Sequence, residues 1–263
     1  MKAAATTIPA HQPNEDNFLV DQELKLFGVF DGVGGARGGA VAAKIAARVV
    51  WETFKDKTYK NKKQSTEEVF KKALIEAAHQ ITIDGQIYGR FNQGTAATIV
   101  KISNSKITIA NVGDCRCYGL TKDDELKRLT IDHGILEELL KSRQISLDTA
   151  LKIDQAKNKK DLTASELVIF NQRHVITEAL AADFERDVHI DFNEVNSKKF
   201  KMLILTTDGV HDNLTDDEIE VVLKKSKTPK IIAKNLVALA FGVSQQNLLR
   251  SKPDDITVVV VSL

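Results

Sequence analysis

The sequence predicts an α+β chain: two antiparallel β-sheets packed face to face and flanked by helix pairs, a four-layer αββα sandwich. Three observations carry this. Short apolar runs arrive in blocks divided by turn residues, which suits antiparallel pairing better than βαβ units. Two pairs of amphipathic helices separate the blocks. Several apolar runs end on, or start from, an aspartate: VFDGVGG at Asp31, ITIANVGD at Asp114, MLILTTDG at Asp208, and DDITVVVV at Asp254 and Asp255.

In chain order, the polar stretch HQPNEDN leads into FLV and LKLFGVF, two short strands around the turn-like DQE. The second, Leu24 to Phe30, delivers Asp31 into a loop of small residues, where the Gly32 carbonyl has room to face the same ligand. Ala42, Ile45, Ala46, Val49, Val50 and Phe54 recur at helical spacing, so Gly38 to Lys55 reads as a helix. The lysine-rich stretch to Gln64 reads as solvated linker. Ser65 and Glu68 form a capping box ahead of Phe70, Ala73, Leu74, Ala77, Ala78 and Ile81, a helix ending near Gly85. TAATIVKI, KITIANVG, CRCYGL and ELKRLT then read as an antiparallel meander. From Gly134 to about Arg173 the chain is polar and helical, an insert of short surface helices such as serve as lids. DVHIDF and KMLILTT return as strands. Thr215 with Glu218 caps a helix, Thr228 with Pro229 starts the last one, and ITVVVVSL closes as a buried strand. No repeat or boundary divides the sequence, so a single domain over 1–263 is expected.

Composition bounds the function. Hydrophobic residues make up 43% of the 263 residues and charged ones 28%, ordinary for a soluble globular protein. A formal charge of +1 gives no electrostatic reason to expect nucleic acid or a membrane surface as partner. Cys115 and Cys117, two apart on a strand, read as small buried hydrophobes. The start MKAAATTIPAHQPNED is too polar for an export segment, and no run approaches the roughly 18 apolar residues of a membrane span. A cytoplasmic, reducing setting is expected.

Asp31, Asp208 and Asp254, if gathered, form a cluster that cations must neutralise. No Cys/His cluster accompanies them, and oxygen-only ligands suit Mg2+ or Mn2+ rather than zinc. Two such ions sharing a carboxylate acidify a water and clamp a phosphoryl oxygen. The chain has no G-x-S-x-G elbow and no P-loop to suggest other chemistry. Singly, each motif has an ordinary reading: an aspartate after a strand is commonly a turn residue or helix cap.

Together and in this order, NEDN at residues 14–17, VFDGVGG, GTAATIV at 94–100, NVGDCR at 111–116, LTIDHG at 129–134, VITEAL at 175–180, LTTDGVHDNL at 205–214 and KPDDITVVVV at 252–261 resemble the metal-dependent protein phosphatases, the protein phosphatase 2C family. Val33, where many eukaryotic members have a histidine, and the compact chain resemble the bacterial type.

The resemblance implies a β-sandwich phosphatase that hydrolyses phosphoserine and phosphothreonine in proteins, with no phosphoenzyme. Asp31, Asp208 and Asp254 would be catalytic. Asp31 would bridge two ions, the Gly32 carbonyl would join one, and Asp208 and Asp254 would complete the other. A metal-bridging hydroxide would attack the phosphoester. Glu15 and Asp16 would order metal-bound waters, and Asp114 and Asp212 would hold a third metal with Asp208. The insert would be a flap beside the substrate groove.

His11 stands where the family has a phosphate-gripping arginine, a single donor in place of a bidentate fork, and Arg37 is the candidate substitute. Glu178 stands where an arginine is common. His133 is expected to fix a turn and His211 to lie in exposed loop, while His79, His174 and His189 show no ligand spacing. A phosphorylated protein is the expected partner, and the chain is expected to be monomeric. A catalytically weak or inactive phosphatase-fold protein that binds a partner, and an enzyme for small phosphoesters, remain the alternatives.

Overall fold

The computed structural model describes residues 1–10, 12–35, 38–56, 64–181, 188–225 and 228–263. Among them the strands form two antiparallel sheets. One is five-stranded, in the order β1 (Lys2–Ile8), β11 (Ile256–Ser262), β10 (Phe200–Thr206), β6 (Arg116–Thr121), β7 (Leu126–Arg128). The other is six-stranded: β2 (Asn17–Asp21), β3 (Leu26–Val33), β4 (Gly94–Ser103), β5 (Lys106–Val112) and β9 (Asp191–Asn196) in order, with β8 (Leu180–Ala181) also on β4.

The sheets face each other across Phe27, Val29, Ile107, Cys117, Leu203 and Val259. Helices α1 (Gly38–Lys55) and α2 (Thr66–Tyr88) cover the six-stranded sheet through Ala46, Val50, Phe70 and Leu74. On the other side α7 (Asp216–Lys225) and α8 (Pro229–Ser244) cover the five-stranded sheet through Ile219, Leu223, Ile232 and Leu236. The four αββα layers are those the apolar periodicity predicts.

The local signals hold in detail. Ser65 accepts from the Glu68 amide and Glu68 reaches back to the Ser65 amide, so the capping box is complete. The helix runs past Gly85 to Tyr88, where left-handed Gly89 stops it. Both cysteines are free and buried between the sheets.

Three expectations need correction. The runs from Thr95 to Thr130 are not one meander: β4 and β5 pair in the six-stranded sheet, whereas β6 and β7 pair in the five-stranded one. The chain changes sheets at Gly113, whose φ of +85° an L side chain rarely adopts, and a Cβ there would lie 2.5 Å from the Ala96 methyl. DVHIDF is mostly not strand, since β9 begins at Asp191 and Asp187 lies outside the described residues. And β1 has no counterpart in the sequence reading. KAAATTI shows no apolar alternation, and it becomes a strand because it pairs along its length with β11, from Lys2↔Ser262 to Ile8↔Ile256.

Candidate metal centre

β3 runs past Phe30 to Val33, because Asp31, Gly32 and Val33 keep their pairing with Ala96, Thr95 and Gly94. Gly32 is held in a tight place. A Cβ there would sit 2.3 Å from the Gly39 carbonyl carbon and 2.7 Å from the Glu15 carbonyl oxygen, so the start of α1 and the approach to β2 both press on Asp31's neighbour. Asp208 follows β10 and opens the short helix α6 (Asp208–His211), with Asp212 one turn on. Asp254 lies just before β11, Asp114 in the link from β5 to β6, and Glu15 and Asp16 just before β2.

These elements bring the carboxylates to one place. Asp31 has Asp208, Asp16, Asp114 and Asp254 as charged neighbours. Burial, and then those neighbours, push the Asp31 carboxyl well above the usual carboxylate range. Asp114 is raised the same way, by burial and then by Asp208. Burial also raises Asp16, although hydroxyls of Thr257 and Thr207 bond it. Asp208 is pushed up to about 6 by burial, with Lys252 opposing and Asp254 and Asp212 adding to the rise.

Among the described residues two protein cations enter this cluster, and sequence reasoning assigned neither. The Lys252 ammonium lies 2.5 Å from Asp208 Oδ2, 2.8 Å from Asp212 Oδ2 and 3.0 Å from Asp254 Oδ2. Arg173 Nε lies 3.2 Å from Asp212 Oδ1. Asp212 thus departs from the rest: burial would raise its carboxyl, but Lys252 and Arg173 together hold it below the usual value. Asp255 faces elsewhere and accepts the Ala10 and Glu15 amides, each at 2.6 Å. It fixes the segment that carries Glu15 and Asp16, while Asp254 turns to Lys252.

The insert comprises α3 (Ile135–Lys141), α4 (Leu147–Asp154) and α5 (Ala164–Phe170) around a small core of Leu136, Ala150, Ile153, Ala156 and Phe170. It is more than a surface feature, because buried ionic contacts join it to the sandwich. Arg116 of β6 holds Asp132 through three hydrogen bonds of 2.6–3.2 Å and reaches Asp154 at 2.8 Å. Arg250 donates to the carbonyls of Asp154, Ala156 and His211. Arg173 lies over the Phe170 ring, 4.1 Å from its centroid, as it reaches Asp212.

The histidines divide. His133 fixes a turn as expected: Nδ1 accepts the Gly113 amide, so Nε2 carries the proton toward Asp191 Oδ2, 3.1 Å away. His189 joins the same Asp191 at 3.0 Å, a grouping the sequence spacing conceals. With both His133 nitrogens committed, this group serves the turn rather than an ion. His211 is not in exposed loop. It is buried in α6, and burial with nearby Arg116 and Arg128 holds its ring well below the usual value. His11, Arg37 and most of the lysine-rich linker (57–63) lie outside the described residues.

The donor set fits hard divalent ions. It is all oxygen, its carboxyls raise one another, and Asp208 Oδ1 is buried with no hydrogen-bond partner among the described residues. A sequence profile described as protein phosphatase 2C matches residues 6–147, more than half of the chain. The chain belongs to the protein phosphatase 2C family.

Among relatives, the serine/threonine phosphatase stp of Listeria innocua is 28% identical over 219 residues, 82% of this chain and 79% of its own. The Mycobacterium tuberculosis serine/threonine phosphatase PstP/Ppp superposes with a TM-score of 0.78 at 21% identity, covering 100% of this chain and 98% of that one. The catalytic domain of PstP in complex with 2 manganese ions superposes at 0.74 with 20% identity, covering 99% and 97%. As a member of the protein phosphatase 2C family, the chain is a metal-dependent protein phosphatase. No helix among the described residues is long and apolar enough to cross a membrane.

Proposed function

We propose that this chain removes phosphate from phosphoserine and phosphothreonine in protein substrates, with Asp31, Asp208 and Asp254 as the carboxylates of its reacting centre. The observation that carries this is the convergence of Asp31 from within β3, of Asp208, Asp254 and Asp16 from three strand ends, and of Asp114 from the sheet-switching link, with a buried Asp208 oxygen left over for a cation. The named relatives are serine/threonine phosphatases, which supports the substrate class.

Two divalent ions held here would supply Lewis acidity for the attacking water and positive charge against the phosphoryl oxygens. This chain's residues hold and orient. Asp31 would be shared between the two ions, the Gly32 carbonyl would join one, and Asp208 and Asp254 would hold the other. Asp16, fixed by the Thr207 hydroxyl at 2.8 Å, and Glu15, fixed through its amide by Asp255, order water around them. Asp114 and Asp212 border a third cation position beside Asp208. The water oxygen bonds to phosphorus, the bond to the seryl or threonyl oxygen breaks, and that oxygen departs with a proton from solvent. Neither cysteine can act as nucleophile, since both lie between the sheets and burial pushes both thiols up.

The insert, residues 134–173, is the flap of a single phosphatase domain, placed beside Asp212 by Arg173. His11 and Arg37 are the candidates to grip the substrate phosphate. We read the chain as a cytoplasmic monomer, in keeping with its two free thiols. The test is hydrolysis of a phosphothreonine peptide with Mn2+, with Mg2+ and with EDTA. Metal-dependent turnover that disappears in Asp208→Asn is expected. Turnover that survives EDTA or Asp208→Asn would overturn the assignment, and no turnover in the wild type would leave a partner-binding protein on this fold.

A further inference from the structure

Three carboxylate oxygens from three different residues, Asp208, Asp212 and Asp254, lie within 3.0 Å of one point, and a lysine nitrogen stands at that point. Such convergence is what a hard cation requires, and here the cation is covalently part of the chain. The lysine is also built into place. Asn213 accepts the Lys252 amide at 3.0 Å and donates to the Lys252 carbonyl at 3.0 Å and to the Gly209 carbonyl at 2.9 Å, tying residue 252 to the helix that carries Asp208 and Asp212. All three ammonium protons have a carboxylate within reach. On the far side of Asp212, Arg173 supplies a second positive group. Among the described residues, neither Asp31 nor Asp114 has an ion pair of this kind, and the charged neighbours that act on Asp31 are the carboxylates of Asp208, Asp16, Asp114 and Asp254.

We propose that Lys252 is a tethered cation held by the Oδ2 atoms of Asp208, Asp212 and Asp254, so that this chain holds two divalent ions through the remaining carboxylate oxygens, Asp208 Oδ1 among them, and excludes a third from the Oδ2 position. The inference rests on the metal-centre reading above and refines its stoichiometry. A divalent ion and an ammonium cannot share the site. An ion about 2.1 Å from these oxygens would overlap the Nζ atom. To admit it, Lys252 must swing out and give up three charge-assisted contacts. Its side chain is 25% exposed, which gives it an exit toward solvent and makes the exclusion a competition rather than a block.

The experiment is a Mn2+ titration of the full chain by calorimetry, with free Mn2+ followed by electron paramagnetic resonance, for the wild type, Lys252→Ser and Lys252→Gln. The Gln variant keeps most of the side-chain bulk, and circular dichroism in Mn2+ confirms that both variants are folded. Two ions per wild-type chain are expected. In the variants we expect a third site to appear, or the weaker of the two to tighten by at least about tenfold. The metal-free variants should also melt below the wild type and recover with Mn2+, because carboxylates then repel without their internal counter-ion. Equal stoichiometry and affinity in all three proteins would overturn this inference alone, as would three ions on the wild type. No Mn2+ binding by any of them would overturn the metal centre as well.

Discussion

Replacing Asp154 by Asn tests how the insert is fastened to the sandwich. Asp154 sits at the end of α4 with its side chain 12% exposed. Its Oδ1 is 2.8 Å from Arg116 and its Oδ2 3.6 Å from Arg128. The two guanidiniums share Asp132 and Asp154, with Glu137 also on Arg128, so the substitution leaves this buried network one carboxylate short. Removing one member of a buried pair costs about 3–5 kcal/mol. Asn still offers Arg116 a carbonyl oxygen, so the lower end, about 3 kcal/mol, is expected. With a urea m-value of about 3 kcal/mol/M, the unfolding midpoint should fall by about 1 M.

The pH dependence has a definite sign. Burial would raise the Asp154 carboxyl, but Arg116 and Arg128 hold it well below the usual range. Its contribution is therefore complete above the unfolded value of about 3.9 and is lost as pH falls through the lower folded value. At pH 7 the difference between wild type and variant should be fully expressed, and it should shrink in strong acid. Hydrogen exchange should show amides of α3 to α5 losing protection while those of β4 and β10 keep theirs, since the loosened joint lies between insert and sandwich. Asp148→Asn, an exposed acid on the same helix, is the control and should stay within about 0.5 kcal/mol of wild type. If Asp154→Asn behaves like that control, Arg116 is not what holds the insert.

Two further substitutions probe other parts of the molecule. Gly32→Ala places a methyl 2.3 Å from the Gly39 backbone and should lower stability by at least about 3 kcal/mol in thermal unfolding, whereas Gly242→Ala, with open space around it, should be neutral or better; equal melting temperatures would refute the close approach. Burial, and then Asp132, raise Glu137 from 4.5 to about 7 despite Arg128 at 3.3 Å, so its favourable protonation is fully present below about 4.5 and is lost as pH rises through about 7. In Mn2+, the stability of Glu137→Gln relative to wild type should therefore improve by up to roughly 3 kcal/mol between pH 5 and 8, and a difference independent of pH would refute it.

The carboxylates were legible in the sequence because their chemistry leaves a local mark: an apolar run, an aspartate, then small residues. The same holds for the helices: the caps at Ser65 and Thr215 each pair with a glutamate three positions on, and Thr228 is followed directly by Pro229. What escaped depends on partners far away in the chain. Lys252 reaches Asp208 across 44 residues, and Arg116 reaches Asp154 across 38. A long cationic side chain carries no pattern that says whether it meets water or an acid. His211 looked like loop because the polar run after Asp208 hides a helical turn buried under Arg250. β1 escaped for a related reason: its strandhood belongs to β11.

That pairing governs how the chain must assemble. β11 lies between β1 and β10, hydrogen-bonded on both sides, yet nearly the whole sequence separates it from β1. Until it inserts, β1 and β10 each present a bare strand edge, and Asp254 and Lys252, which immediately precede it, are out of place. Strands β2 to β5 of the six-stranded sheet face no such delay, since they are neighbours in sequence order apart from the excursion through α1 and α2, and only β8 and β9 join later. Half of the sandwich can thus form on local contacts, while the other half waits on a long loop closure, the slow kind of step in a β-rich topology. The last strand to dock is also the one that completes the ligand set, so an incompletely folded chain has no finished metal centre.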